Sequence, residues 1–234
     1  MGVAYGSSTI YQATKGIVQD GLTLNLDMGV SQSYSGTGTA WLDLSSTGNG
    51  TLNNSPEFSK TKGGVITFDG TDDNVTLGTG GSLGLDGYHS VEFWVYPFTN
   101  NTDRGLINCY DGGEMTNNYI HYNFRSSRIH MGWYSNDLSE PAGHVVPNTW
   151  HHVFYIFDDA DDKRRIYKNA TLLATDGTAR TTTPAVTSAT AYLGYYTGGS
   201  RFYGLMTSCR IYNRALTATE VAQNFNVTRH RFGI

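Results

Sequence analysis

The sequence predicts an all-β fold: a two-sheet antiparallel jelly-roll sandwich with one short C-terminal helix. Apolar residues recur mainly at every second position, the period of a half-buried strand, in about ten separate stretches. Clusters of Gly, Asn, Asp and Ser punctuate those stretches, as turns between short strands require. The composition, 28 Gly and 16 Tyr against 5 Pro, with few Lys or Glu, favours strands and turns over helices. A chain of 234 residues with this pattern is expected to form one domain.

In chain order, "GLTLNLD" places Leu22, Leu24 and Leu26 on one side of the first strand, and "GGVITFDG" does the same with Ile66 and Phe68. "SVEFWVYP" sets Val91, Phe93 and Val95 against Glu92, Trp94 and Tyr96, and stops at Pro97. Further strands are expected at "GLINCY", "YIHYNFR", "RIHMGWY", "WHHVFYIFD", "RRIYKN", "AYLGYY" and "GLMTSCRIY". In "ALTATEVAQNFN" the period changes: Leu216, Val221 and Phe225 fall near helical spacing, and Thr217 with Glu220 forms a capping box. This helix is expected to close one end of the sandwich.

The domain proper is expected to span residues 16–228. Met1 to Lys15 is polar without sustained alternation and reads as an N-terminal arm ordered only against a neighbour. Residues 229–234 combine Arg229 and Arg231 with Phe232, and read as a C-terminal tail that is either frayed or a docking peptide.

A net charge of −4, with both signs scattered, provides no basic field for nucleic acid. No apolar run reaches the length of a membrane span, and the first residues lack the regions of a signal peptide, so neither membrane insertion nor export is expected. Cys109 and Cys209 are too few for a disulfide framework and read as free thiols on strands.

"FDGTDDNVTL" gathers Asp69, Asp72 and Asp73 in a chain with only 15% charged residues, so the cluster calls for a reason. It does not match the EF-hand loop. Neighbouring acids on a turn also make a poor glycosidase pair, which needs carboxyls about 5 Å apart across the scissile bond. Two readings remain. Asp69 and Asp72 can brace the turn by accepting backbone N–H bonds while Gly70 supplies the required φ; this reading is preferred. Alternatively the carboxylates, with carbonyl oxygens of another loop, hold Ca²⁺.

Asp158, Asp159, Asp161 and Asp162 read as a solvated hairpin tip. His121 and His130 lie on consecutive strands and His151 and His152 open another, so metal ligation is conceivable; but no H-x-H or H-E-x-x-H spacing occurs, and hydrogen-bonded strand residues are the preferred reading. No G-x-S-x-G elbow is present.

Loop aromatics are the best candidates for a sugar surface, because a pyranose C–H face stacks on Tyr or Trp while flanking polar side chains bond its hydroxyls. "GYYTGGSRFYG" supplies Tyr195, Tyr196, Arg201 and Tyr203; "GWYSND" supplies Trp133, Tyr134, Asn136 and Asp137. Core packing is the competing role for each ring.

Four stretches, residues 21–54, 66–77, 90–97 with 150–174, and 201–226, together resemble the laminin-G-like jelly-roll modules of the concanavalin A-like lectin/glucanase superfamily. The resemblance implies the sandwich fold and rim Ca²⁺ sites of the kind some relatives carry. The E-x-D-x-x-E strand motif of the glucanase branch is missing. Where such modules often have Asn-Gly in a hairpin, this chain has Asn169-Ala170, and Ala resists the positive φ of a type I′ turn. Cys209 replaces an apolar residue and is expected in the core.

The opening stretch from Gly21 and the ending "NFNVTRHRFGI" are similar to laminin-G-like virion proteins of tailed bacteriophages. The expectation is a non-enzymatic virion structural protein (fibre, neck, tail or capsid accessory subunit), assembled in the host cytoplasm. It would dock through its ends to other virion proteins or copies of itself and present loops to a host-surface glycan. The alternatives are a polysaccharide-degrading enzyme on the same fold and a cellular or secreted lectin.

Overall fold

The computed structural model describes residues 16–45, 48–110, 117–196 and 199–234. The expected arm, Met1 to Lys15, lies outside the described residues. In chain order the strands are β1 (Leu22–Asp27), β2 (Ala40–Trp41), β3 (Gly50–Asn53), β4 (Glu57–Ser59), β5 (Val65–Asp69) and β6 (Asn74–Thr79). A single turn of helix, α1 (Gly80–Leu83), precedes β7 (His89–Pro97), β8 (Arg104–Tyr110), β9 (Tyr119–Arg125), β10 (Arg128–Trp133) and β11 (Asp137–Ser139). Then come β12 (His151–Asp158), β13 (Lys163–Lys168), β14 (Thr171–Thr175), β15 (Thr190–Leu193), β16 (Tyr203–Tyr212) and α2 (Ala218–Thr228). None of the described helices is long and apolar enough to cross a membrane.

The strands form two antiparallel sheets. The first has the order β14-β13-β12-β7-β16-β5-β4, with β1 also paired to β16; the second runs β11-β10-β9-β8-β15-β6-β3-β2. The all-β sandwich expected from alternation is therefore the observed fold. Val91, Phe93, Val95, Val153, Tyr155 and Phe157 from the first sheet meet Ile107, Ile120, Tyr122, Phe124 and Met131 from the second in one buried core. The Tyr122 and Tyr155 rings stack across the two sheets with centroids 4.8 Å apart. Each fully buried aliphatic or aromatic side chain contributes about 1.5–3 kcal/mol. Cys209 lies in this core, and both cysteines are buried and outside any disulfide.

Two local expectations fail. Register shifts between Leu22 and Leu24, so Leu24 and Leu26 enter the main core while Leu22 packs with Phe154 and Tyr212 on the opposite face. At the β13–β14 turn, Asn169 and Ala170 both adopt positive φ, 48° and 63°. The tight hairpin forms despite alanine, because its flanking strands are fixed by β12 on one side and by the Ala170 contact with the Phe154–Tyr212 cluster on the other.

The helix α2 begins where expected, with the Thr217–Glu220 capping box formed, and Arg214 holds Glu220. It does not close an end of the sandwich, however; it lies across the outer face of the first sheet. There Asn224 Nδ2 donates to Glu92 Oε2 at 2.7 Å and to the Tyr212 hydroxyl at 2.8 Å, and Trp94 Nε1 donates to Thr228 Oγ1 at 2.8 Å.

The tail is likewise part of the domain rather than a free docking peptide. Arg231 pairs with Asp27 at 2.9 Å and donates to Thr207 Oγ1 at 3.0 Å. Phe232 stacks on Trp94 with centroids 4.0 Å apart and meets Trp150 at 4.6 Å. Arg229 stays exposed over the Phe225 ring. Arg231 and Phe232 are thus committed within the fold, and the boundary expected after residue 228 has no structural counterpart. Outward-facing Trp94 and Glu92 needed a cover, and the chain's own C-terminus supplies it.

Candidate functional site

Among the described residues, no helix lies over the outer face of the second sheet. Along β9, Ile120, Tyr122 and Phe124 point inward, which leaves Tyr119, His121, Asn123 and Arg125 outward. Cross-strand pairing aligns outward residues into one row: Thr51, Thr76, Tyr192, Asn108, His121, Gly132 and Asp137. A second row sets Asn123 beside His130 and Ser139.

The segment after β15 roofs part of this face. Gly194 turns the chain with φ +72°, and Gly105 lets it lie flat, since a Cβ there would sit 2.3 Å from the Tyr195 carbonyl oxygen. Gly105 N donates to Ser200 O, and Arg104 Nη1 to Arg201 O. The Arg201 guanidinium lies 4.0 Å from the Tyr195 ring centroid. Tyr196 packs on Tyr119 and His121 with centroids 6.1 and 5.6 Å away, and its hydroxyl accepts from Arg125.

Between roof and sheet lies a cleft of about 280 Å³ lined by Asn74, Asn108, Tyr110, Tyr192, Tyr195 and Arg201. Several buried polar atoms on or beside it have no hydrogen-bond partner in the protein: Asn108 Oδ1, both side-chain atoms of Asn123, His121 Nδ1, His130 Nε2, and Nε and Nη1 of Arg201. Leaving such a group unsatisfied costs about 1–3 kcal/mol, so a face that collects them is built to meet hydrogen-bonding groups from outside the fold. A larger cleft, about 770 Å³, is lined by Tyr88, Asp162 and residues 179–183. Its Tyr88 hydroxyl is spent on Asp162 and its Arg180 on Asp176 and Asn136, which makes it the weaker candidate.

Of the expected sugar-binding residues, Tyr195, Tyr196 and Arg201 do come together here. Asp137 joins them from the far side of the row, 3.3 Å from His121 Nε2. Burial pushes the Asp137 carboxyl up, but the adjacent imidazoles of His121 and His130 more than offset this and hold it well below the usual range. Tyr134 stacks parallel to Tyr119 at 6.5 Å.

Three expectations need correction. Trp133 is fully buried on the inner face, edge-on to Phe157, with the Arg164 guanidinium 4.7 Å from its ring centroid, so no sugar can stack on it. Asn136 is consumed by Arg164, Arg180 and Asn117. Tyr203 packs edge-on to Phe98 and over Gly70 and is not among the residues lining the cleft. Sequence reading missed Asn74, Asn108, Tyr110, Tyr119, Asn123 and Tyr192. The available signal was a polar or tyrosyl residue in the outward phase of strands whose inward phase is apolar.

At the Asp cluster, Asp69 Oδ1 accepts from Thr71 N at 2.7 Å and from Asp72 N at 3.3 Å, while Asp73 Oδ2 accepts from Asp69 N at 3.0 Å. Gly70 has φ +75°. The turn is braced by Asp69 and Asp73, with Asp72 contributing its carbonyl to Asn54 and Asn74 instead of its carboxylate. Backbone N–H groups hold the Asp69 carboxyl below its ordinary range, whereas burial pushes that of Asp73 up. The three side chains can each offer an oxygen within 4.8 Å of the others, which fits a hard cation such as Ca²⁺ with water completing its shell.

Residues 69–222 match the Laminin_G_3 family, described as concanavalin A-like lectin/glucanases superfamily. None of the curated proteins matches the chain by sequence. Among solved structures, domain 4 of AbnA, a GH43 extracellular arabinanase from Geobacillus stearothermophilus solved with arabinotriose, superposes with TM-score 0.64 at 20% identity, covering 87% of this chain and 97% of that one. Trypanosoma rangeli sialidase gives TM-score 0.68 at 15% identity, covering 92% of this chain and 34% of its own. The binding domain of Paraclostridial Mosquitocidal Protein 1 gives 0.68 at 13% identity, covering 88% and 52%. The chain therefore spans about a third of the sialidase and about half of the toxin domain, and these likenesses speak to fold.

Proposed function

Because the chain belongs to the Laminin_G_3 family of the concanavalin A-like lectin/glucanase superfamily, we propose that it is a non-catalytic carbohydrate-binding module whose site is the roofed outer face of the second sheet. The observation that carries this reading is the set of unpartnered buried polar atoms of Asn108 and Arg201, which line the cleft with Tyr195, and of Asn123 on the same outer face. Tyrosine faces stack on pyranose or furanose C–H surfaces, and amide and guanidinium groups pair with hydroxyls. The complex of the arabinanase domain with arabinotriose supports a sugar as the ligand class. Catalysis is not part of the reading: the nearby carboxylates of Asp103 and Asp137 both engage Arg125 rather than facing each other over a bond to be cut.

The wider setting we propose is a tailed-bacteriophage virion, supported by the likeness of the stretch from Gly21 and of the C-terminal segment to virion laminin-G-like proteins. With Arg231 and Phe232 committed internally, attachment to neighbouring virion proteins falls to other surfaces, and weak single-site sugar affinity would be raised by many copies.

Glycan-array binding followed by calorimetry tests the site. Wild-type protein is expected to bind, and Tyr195→Ala and Arg201→Ala to weaken binding about tenfold, equivalent to about 1.4 kcal/mol, with unchanged melting. A blank array removes the reading; release of reducing ends from a bound polysaccharide replaces it with an enzyme. Detection of the chain in purified particles tests the virion setting separately.

A further inference from the structure

One group of side chains at the edge of this face is arranged for a different ligand. His121 on β9 and His130 on β10 are buried, with their imidazoles nearly parallel at 26° and centroids 5.3 Å apart. Both present Nε2 to one carboxylate, that of Asp137 on β11: His121 Nε2 lies 3.3 Å from Oδ1 and His130 Nε2 3.7 Å from Oδ2. A charge-assisted imidazole–carboxylate hydrogen bond would close to about 2.7–2.9 Å. Donors on adjacent corners of a zinc tetrahedron, each about 2.0–2.1 Å from the ion, stand about 3.3–3.4 Å apart. The observed separations, each to a different oxygen of the carboxylate, are longer than the first and nearer the second.

Two further observations point the same way. His130 Nε2 has no hydrogen-bond partner, while its Nδ1 sits 2.6 Å from Ser139 Oγ. With Nδ1–H donating to that hydroxyl, the Nε2 lone pair faces Asp137, which is the arrangement by which a neighbouring acceptor orients a metal-ligating histidine. Beneath the group, Gly132 supplies the space: a Cβ at that position would lie 2.1 Å from His121 Nε2 and 2.6 Å from Asp137 Oδ1.

We propose that His121, His130 and Asp137 form a transition-metal site, best suited to Zn²⁺, with two imidazole nitrogens and one carboxylate oxygen as ligands and a fourth position open to solvent. The three donor atoms already lie within 4.8 Å of one another. Imidazole and carboxylate together suit Zn²⁺ better than the hard cations, which take oxygen donors alone. Arg125 Nη1, 3.7 Å from Asp137 Oδ2, opposes a cation, although Asp103 and the Tyr196 hydroxyl draw its guanidinium aside. None of the three ligands lines the cleft, although all three border it on the same outer face.

Titration of the full chain with Zn²⁺ by calorimetry, and with Co²⁺ by visible absorption, is the direct test. One equivalent should bind, Co²⁺ should show tetrahedral d–d bands, and Zn²⁺ should raise the melting temperature. Asp137→Asn keeps the shape of a partly exposed side chain and should weaken Zn²⁺ at least about tenfold; Ser139→Ala, acting through His130, should weaken it by about 10–100-fold. Arg125→Gln should tighten it. Absence of binding by wild-type protein, or equal affinity in wild type and Asp137→Asn, overturns the proposal. His130→Gln adds a ligand-deletion check if its metal-free melt matches wild type; Asp137→Asn decides the matter if it does not.

Discussion

Glu92 on β7 and Arg210 on β16 sit directly opposite each other in the ladder, joined at 2.9 Å and fully enclosed beneath the C-terminal helix. His152 and Asn224 take further positions on the same carboxylate, and Asn25 and Asp27 take the rest of the guanidinium. A buried pair of this kind is costly to break from one side, because the surviving charge has no water to turn to. Arg210→Met is expected to cost about 3–5 kcal/mol at neutral pH by urea unfolding. A loss under about 1 kcal/mol would mean the enclosure is wetter than described.

The same pair sets an acid limit. Burial alone would push Glu92 up, but Arg210 and then His152 outweigh it and bring its pKa from 4.5 to about 2. A carboxylate depressed on folding stabilises above its unfolded value and loses that contribution as pH falls through the folded one. His89, lowered by burial from 6.5 to about 4, acts in the same direction. Stability should therefore decline from about pH 6.5 downward for His89 and between about 4.5 and 2 for Glu92. In Arg210→Met burial becomes the main influence on Glu92, so the variant's deficit should shrink in acid. A deficit constant from pH 7 to pH 3 would contradict this.

Asn123 is expected to trade stability for binding. It is fully buried with neither side-chain atom paired. Asn123→Leu removes two unsatisfied groups and should raise stability by about 1 kcal/mol while weakening sugar binding. Chemical denaturation and calorimetry on the same preparation read both effects. Destabilisation with intact binding would show that Asn123 is structural.

At the β13–β14 turn, Ala170 holds φ 63°, a region that disfavours any residue with a Cβ. Ala170→Gly should stabilise by about 0.5–1 kcal/mol, less whatever the methyl contributes against the Phe154–Tyr212 cluster. A small rise in melting temperature is the expected reading, and a fall would assign the greater weight to that contact.

Asp69 accepts two backbone N–H bonds of its own turn. Asp69→Ala is expected to cost about 1 kcal/mol whether or not metal is present. EDTA distinguishes the two roles: an unchanged melt assigns the turn to its own hydrogen bonds, and a drop reversed by Ca²⁺ assigns it to the cation as well.

The alternation in "SVEFWVYP" correctly separated Val91, Phe93 and Val95 from Glu92 and Trp94, but nothing in that strand reveals that the second group would also be covered. That fact depends on where a helix some 130 residues away comes to rest, as the |i−j| of 132 between Glu92 and Asn224 records. Trp133 was readable and misread: in "RIHMGWY" it shares phase with Ile129 and Met131, and so with the core. Asn108 and Asn123 each look like one ordinary outward residue of one strand. Only the pairing of β8 with β9 and β15 sets Asn108 in the cleft with Tyr195 and Arg201, and Asn123 opposite Gly105 on the same face.

With the central strands of its first sheet covered by its own C-terminus, the molecule has a blind side and, under the proposed function, a reading side. For the proposed site to stay accessible, an assembly that carries several copies would mount them by the blind side or the rims, facing the same way. An orientation reversed in even a fraction of subunits would waste those binding faces. A label on exposed Arg229 and another on the Tyr195 loop should therefore report opposite accessibility in whatever particle or surface bears the protein.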